Sequence, residues 1–139
     1  MIVLDTNVLS ELTRNEPAQQ VVTWLDRQDT DEVYVTAITK AEIKFGLEMM
    51  PEGKRRLELN SIYDRLFTTM LLGKVLPFDD ASTDDFARLA ASCRKRGLAP
   101  SSADLQIAAI ASYHSAAVAT RNILDFDHEG LQVINPWMG

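Results

Sequence analysis

Four short stretches of this chain carry side chains able to do chemistry, and each is acidic or rich in hydrogen-bonding groups. Asp5 follows the apolar run Ile2-Val3-Leu4, after which Val8, Leu9 and Leu12 recur at helical spacing. That pattern puts Asp5 at the carboxyl end of a buried strand, where a helix begins. In open α/β sheets this is the edge at which ligands bind. Glu42 falls at helical spacing among Ile38, Phe45 and Met49, with Ala41 and Gly46 beside it. A carboxylate inside an apolar face is costly to bury unless it is paired or metal-bound, and Gly46, one turn on, leaves room for an approach to the backbone. Asp104 stands in the first turn of a helix otherwise made of Leu105, Gln106, Ile107 and alanines. Thr120-Arg121-Asn122 follows the apolar Ala117-Val118-Ala119, with Asp125 and Asp127 just beyond.

Each of these residues has a plainer explanation. Asp5 is a preferred helix N-cap. Glu42 would be ordinary if it met an arginine or if its stripe faced solvent. Acidic residues such as Asp104 favour a first turn through the helix dipole, and Asn122 and Asp125 are good turn formers. Taken together they form a pattern, because two strand ends and two helices bring acids to one sheet edge. Several carboxylates in one cleft repel one another unless a hard divalent cation lies between them. Oxygen-only ligation suits Mg²⁺ or Mn²⁺, which keep several waters and bind phosphate oxygens. The corresponding chemistry is metal-assisted attack of water on a phosphodiester.

The elements that must position these residues alternate between short apolar runs and longer helical stretches. Strands are expected at Ile2–Leu4, Val33–Val35, Lys74–Phe78, Ala117–Ala119 and Gln132–Ile134. Pro77 marks the third as an edge strand or its end. Pro17 opens a helix with Val21, Val22 and Leu25 as its apolar face. Further helices are expected from about Thr39 to Met50, Glu52 to Leu71, Asp79 to Arg96 and Ala103 to Tyr113. Pro51 and Gly97 close two of them. Strands separated by helices imply right-handed βαβ units. The fold class is therefore α/β, a three-layer sandwich with a mainly parallel central sheet of four to five strands.

The 139 residues suit one domain, 1–139. No apolar stretch of about 18 residues is available to span a membrane, and the N-terminal apolar run is too short for a signal peptide. A single cysteine, Cys93, fits a reducing compartment and is expected to pack inside a helix. With only His114 and His128 beside it, a zinc site is not expected. These features lead us to expect a cytoplasmic protein. The net charge of −6 is unusual for a protein that holds nucleic acid by charge. It fits such a role only with bound metal and local basic groups, for which Lys54-Arg55-Arg56 and Arg94-Lys95-Arg96 are candidates.

Leu4-Asp5-Thr6-Asn7-Val8-Leu9, the segment Thr36 to Gly46 around Glu42, Ala103-Asp104, and the segment Ala119 to Phe126 occur in an order and spacing that resemble the PIN-domain family. The likeness is strongest to VapC-type toxins of bacterial type II toxin–antitoxin pairs, and it extends over essentially the whole chain to Ile134-Asn135-Pro136-Trp137. The resemblance implies a parallel sheet with the first strand central and an Mg²⁺- or Mn²⁺-dependent endoribonuclease. Asp5, Glu42 and Asp104 match the family's acidic, metal-binding positions. Its fourth acidic position is Asn122 here, and members with Asn there often carry an acid three residues later, matching Asp125. The catalytic set to be tested is thus Asp5, Glu42, Asp104, Asn122 and Asp125. Thr6 and Thr120 are candidates to orient ligands or substrate oxygens, and Arg121 to contact phosphate. The resemblance also implies homodimerisation and an antitoxin partner that blocks the cleft. Ile43, Leu47 and Met50, on a flank of the Glu42 helix, are candidates for an apolar partner surface.

Three other readings are open to these residues. An aspartyl-nucleophile phosphatase usually carries a second Asp two residues after the first, where this chain has Asn7. A response-regulator receiver needs a phospho-acceptor Asp and a later Lys that are not matched. A catalytically weak or inactive PIN-like module, binding a protein or RNA partner, is the alternative that Asn122 invites.

Overall fold

The computed structural model describes residues 1–138. Five strands form one parallel sheet: β1 (Ile2–Leu4), β2 (Val33–Thr36), β3 (Val75–Leu76), β4 (Ala117–Ala119) and β5 (Val133–Ile134), in the order β3-β2-β1-β4-β5. β1 is central. Ile2 pairs with Val33 on one side and with Ala117 on the other. The chain runs outward from β1 in one direction through β2 and β3, then returns to β4 and β5 on the other side. The carboxyl end of β1 is therefore the point where strand order reverses, and a crevice opens there. β3 and β5 are edge strands, and Pro77 ends β3, as its missing N–H requires.

Helices cover both faces. α1 (Thr6–Leu12), α2 (Gln19–Asp26), α3 (Ala37–Met49) and α4 (Lys54–Thr68) pack round a core containing Leu4, Val8, Leu9, Val21, Val35 and Ile43. α5 (Thr83–Lys95) and α6 (Ser102–Tyr113) pack with Val3, Ile107, Ala108, Val118 and Phe126 on the other. Adjacent residues of β1 and of β4 thus serve opposite cores, as the pleat dictates. In α6 the run from Ile107 to Ala111 is wholly buried, so its small side chains do bring the helix hard against the sheet. Cys93 is buried in α5.

Polar residues start the helices that border the crevice. Asp5 caps α1 through a bond from Thr6 N, Thr36 caps α3 through Thr39 N, and Ser101 caps α6 through Asp104 N. These caps also correct several sequence boundaries. α3 begins at Ala37 rather than Thr39, and α4 spans Lys54–Thr68, stopping short of Leu71. In α2 Val21 and Trp24 are the buried pair, with Val22 and Leu25 half-buried.

The main correction concerns α3. Its buried face is Thr39, Ile43 and Leu47. The stripe through Glu42 is turned outward, with Phe45 68% and Met49 70% exposed. Ile43 and Leu47 are consumed by packing against α4, so the apolar surface left to a partner is Phe45 and Met49. Hydrophobic spacing could not separate the two stripes, because each carries apolar residues one turn apart. The assignment predicts that Ile43→Ala costs about 2–5 kcal/mol in urea unfolding, while Met49→Ala stays within roughly 0.5 kcal/mol of the parent.

Candidate active site

The crevice at the end of β1 is a cleft of about 480 Å³ lined by Asp5, Glu42, Asp104 and Asn122 together with Thr6, Asn7, Ser10, Glu11, Arg14, Arg121 and Trp137. Asp5 lies at its floor, 5% exposed. Its Oδ1 accepts from Thr6 N at 2.8 Å. Its Oδ2 accepts from Thr120 Oγ1 at 2.8 Å and from Asn7 Nδ2 at 3.1 Å. A buried carboxylate needs this many donors to remain an acceptor at all.

Thr120 sits one residue beyond β4 and is fully buried. Its hydroxyl, besides donating to Asp5, accepts from Asn122 N at 3.0 Å. Asn7 completes the link, since its Oδ1 accepts from Arg121 N at 3.2 Å. The turns after β1 and β4 are thereby tied through one carboxylate, one amide and one hydroxyl. Glu42 reaches the same floor from α3: its Oε1 accepts from Thr6 Oγ1 at 2.8 Å, and Thr39 Oγ1 lies 3.2 Å from that hydroxyl.

Electrostatics reveal the closeness of the acids. Burial pushes the Asp5 carboxyl above the usual carboxylate range. The hydrogen bonds from Thr120 and Thr6 oppose that rise, and the charges of Glu42 and Asp125 add to it. Asp104 is likewise raised, first by burial and then by the charge of Asp5; the Ser101 hydrogen bond works against this, and Asp125 adds a further increment. Asp5 and Asp104 are thus harder to ionise, first through burial and then through neighbouring negative charge.

Among the described residues no three Asp, Glu, His or Cys side chains stand close enough to grip one ion unaided. The donor set still has the chemistry of a hard-cation site: all the candidate ligands are oxygens, they share one cleft, and their repulsion is what a cation relieves. Mg²⁺ commonly binds through one or two carboxylates and several waters, which suits Asp5, Glu42 and Asp104 spaced around a hydrated ion. Asn122 lines the cleft. Asp125 does not; it belongs to a 3₁₀ turn, Ile123–Phe126, and lines an adjoining hollow with Cys93 and His128. It acts on Asp5 and Asp104 through its charge.

The sequence patterns overlooked several cleft residues. Asn7 is the bridge just described. Glu11, 5% exposed, holds Arg14 through both oxygens at 3.2 Å and accepts from Ala18 N, fixing the link between α1 and α2. The Glu11–Arg14 spacing of three on a helix was the available signal. Trp137 ends the segment that resembles the family, but only the return of β5 brings it to the cleft. Arg121 makes no salt bridge among the described residues; its guanidinium lies over the Trp137 ring, 5.0 Å from the centroid. The first basic run is occupied elsewhere, Arg55 and Lys54 pairing with Glu58 and Arg56 with Glu48. In the second, Arg96 donates to Asp127 O, and Arg94 and Lys95 are exposed and outside the cleft lining. The cations of the cleft are Arg14 and Arg121.

Comparison with known proteins gives this site a context. The family model described as the PIN domain matches residues 2–128. A VapC ribonuclease of Sinorhizobium fredii is 44% identical over 137 residues, covering 99% of this chain and 98% of the relative. Toxin FitB of Neisseria gonorrhoeae is 37% identical over 137 residues, covering 99% of each. The solved structure of FitAB bound to a DNA fragment superposes with a TM-score of 0.92 at 37% identity, covering 99% of this chain and 96% of that one.

The raised acids have a consequence for stability. A carboxyl whose folded pKa lies above its unfolded value, 3.8 for Asp5 and Asp104, binds its proton more tightly in the native state. Its contribution is therefore largest at low pH and is lost as pH rises through the raised value. In chelator-treated protein, the stability difference between the parent and Asp104→Asn should fall as pH climbs from about 3.8. Thermal unfolding across pH measures that slope. Adding Mg²⁺ should raise the parent's midpoint more at pH 7 than at pH 4, because the ligands must be deprotonated.

Proposed function

This chain belongs to the PIN-domain family, and from that premise we propose that it is a metal-dependent endoribonuclease acting as the toxin of a type II toxin–antitoxin pair. The observation that supports this most is the cleft itself: Asp5, Glu42 and Asp104 line one crevice at the sheet's reversal point, two of them with pKa values raised partly by the neighbouring acids. The names of the relatives, a ribonuclease and a toxin, agree with it.

The ion proposed is Mg²⁺ or Mn²⁺, and when bound it would lower the pKa of a water and polarise the scissile phosphate. The protein's own residues do the rest. Thr6 N, Asn7 and Thr120 keep Asp5 in one orientation, so no reorganisation is needed when a ligand arrives. Thr6 does the same for Glu42. Asp104 is delivered by the first turn of a helix pinned against the sheet. Asn122 offers a neutral amide where a fourth acid would stand, and Asp125 adds negative charge from the next turn. Arg14 and Arg121 supply the positive charge that a phosphodiester needs on entering an acidic cleft. The proposed reaction is hydrolysis: water oxygen bonds to phosphorus, the bond to the 3′-oxygen breaks, and that oxygen takes a proton, leaving 5′-phosphate and 3′-hydroxyl ends.

The toxin reading supplies the partners: RNA as substrate, a cognate antitoxin protein, and a second copy of the chain in a homodimer, acting in the cytoplasm. The exposed Phe45 and Met49 beside Glu42 are an apolar surface on which an antitoxin segment could cover the cleft. No helix among the described residues is long and apolar enough to cross a membrane. A weak or inactive binding module is favoured only by Asn122 and by the absence of a closed acidic triad.

Asp104→Asn separates the two, because it removes a charge and little volume. Cleavage of unstructured RNA in Mn²⁺ should drop to background while circular dichroism and antitoxin binding stay at parent levels. A variant as active as the parent would overturn the ribonuclease mechanism. The fourth position is tested by Mn²⁺ calorimetry: Asn122→Asp should tighten binding, and Asp125→Ala should weaken it.

A further inference from the structure

One lip of the cleft carries a pair of side chains whose arrangement the attraction of a phosphodiester does not explain. Arg121 and Trp137 both line the cleft, with the guanidinium over the indole. An arginine beside Asp5, Glu42 and Asp104 would ordinarily turn to a carboxylate, as Arg14 does to Glu11. Arg121 instead makes no ion pair among the described residues and stays exposed on the ring. Both residues are held from behind. Thr120 N donates to Ile134 O at 2.9 Å, which sets the two segments side by side. Arg121 N is tied to Asn7 Oδ1, and Trp137 N donates to Asn135 Oδ1 at 3.0 Å. The half-buried indole packs against the α1–α4 core. The result is a fixed aromatic surface with a planar cation upon it, opening onto the carboxylates.

We propose that Arg121 and Trp137 form a stacking subsite for a nucleobase next to the scissile phosphate. The inference rests on the ribonuclease reading and deepens it. An acidic chain gains little from long-range attraction to a polyanion, so its hold on RNA must come from short-range contacts. Stacking on an aromatic or guanidinium plane is one that every base can make. In an A-form duplex each base is already covered by its neighbours, whereas loops and single strands present a free face. A guanidinium is suited to both parts of such a site, since its plane stacks while its N–H edge donates to phosphate; a lysine ammonium cannot do both.

The test uses the full chain with Trp24→Phe, which leaves Trp137 as the only tryptophan of the two. In chelator, an unpaired oligoribonucleotide should quench Trp137 fluorescence, and a duplex of the same length should not. In Mn²⁺, a series of substrates with one abasic nucleotide at successive positions should show one position at which kcat/KM falls about tenfold or more. Arg121→Lys should erase that positional discrimination while leaving the thermal midpoint near the parent's, and Trp137→Leu should erase it too. A pair that merely braces the fold would lower the midpoint and leave the discrimination intact, which would overturn the proposal. So would equal kcat/KM for every abasic substrate, or equal quenching by duplex. Cleavage without discrimination refutes the subsite alone. Failure to bind or cut any RNA refutes the ribonuclease reading and the subsite with it.

Discussion

The whole strand edge depends on keeping one carboxylate, that of Asp5, in place where almost no water reaches it. A buried acid without partners would protonate or move. Here it meets donors from three positions: the next peptide, the side chain of Asn7 in the first turn of α1, and Thr120 just beyond β4. Those bonds require β1 and β4 to be neighbours in register, with Leu4 opposite Ala119. They also require both turns to begin at the same height. The sheet order and the site are therefore one constraint, and the small residues that press α6 onto the sheet set the depth from which Asp104 looks in.

The second constraint is electrostatic. Burial and neighbouring negative charge raise Asp5 and Asp104, and the cations of the cleft, Arg14 and Arg121, are held without touching Asp5. Glu11 takes the first and the Trp137 ring the second. An arginine paired directly with Asp5 would neutralise it and close the cleft. Diverting both arginines to other partners leaves Asp5, Glu42 and Asp104 without an arginine partner among the described residues. Glu11, though acidic and at the cleft, belongs to this scaffolding, because its oxygens are committed to Arg14 and Ala18 N.

Asp5 and Asp125 keep the local roles their positions suggest and also shape the charge of the cleft. Asp5 is the N-cap of α1 and also the floor of the cleft. Asp125 shapes a 3₁₀ turn and also raises the pKa of its acidic neighbours. A strand end followed by a helix needs a capping acceptor, and the same carboxylate has lone pairs left to face outward.

Read alone, the chain determines its strands and helices, the parallel sheet and the identity of the acids that gather at its edge. The reason is that apolar period, caps and turn residues are local signals: Ile2-Val3-Leu4 before Asp5 and Ala117-Val118-Ala119 before Thr120 reveal the strand ends outright. The outward turn of the Glu42 stripe was not legible, because α3 has apolar residues on two stripes and only its packing against α1, α4 and α6 decides which is buried. Nor were the bridge through Asn7, the departure of Asp125 from the cleft, or the meeting of Arg121 with Trp137. Those depend on strand order and on atoms more than a hundred residues apart, such as Asn7 and Arg121, and only the tertiary fold brings such atoms within hydrogen-bonding reach.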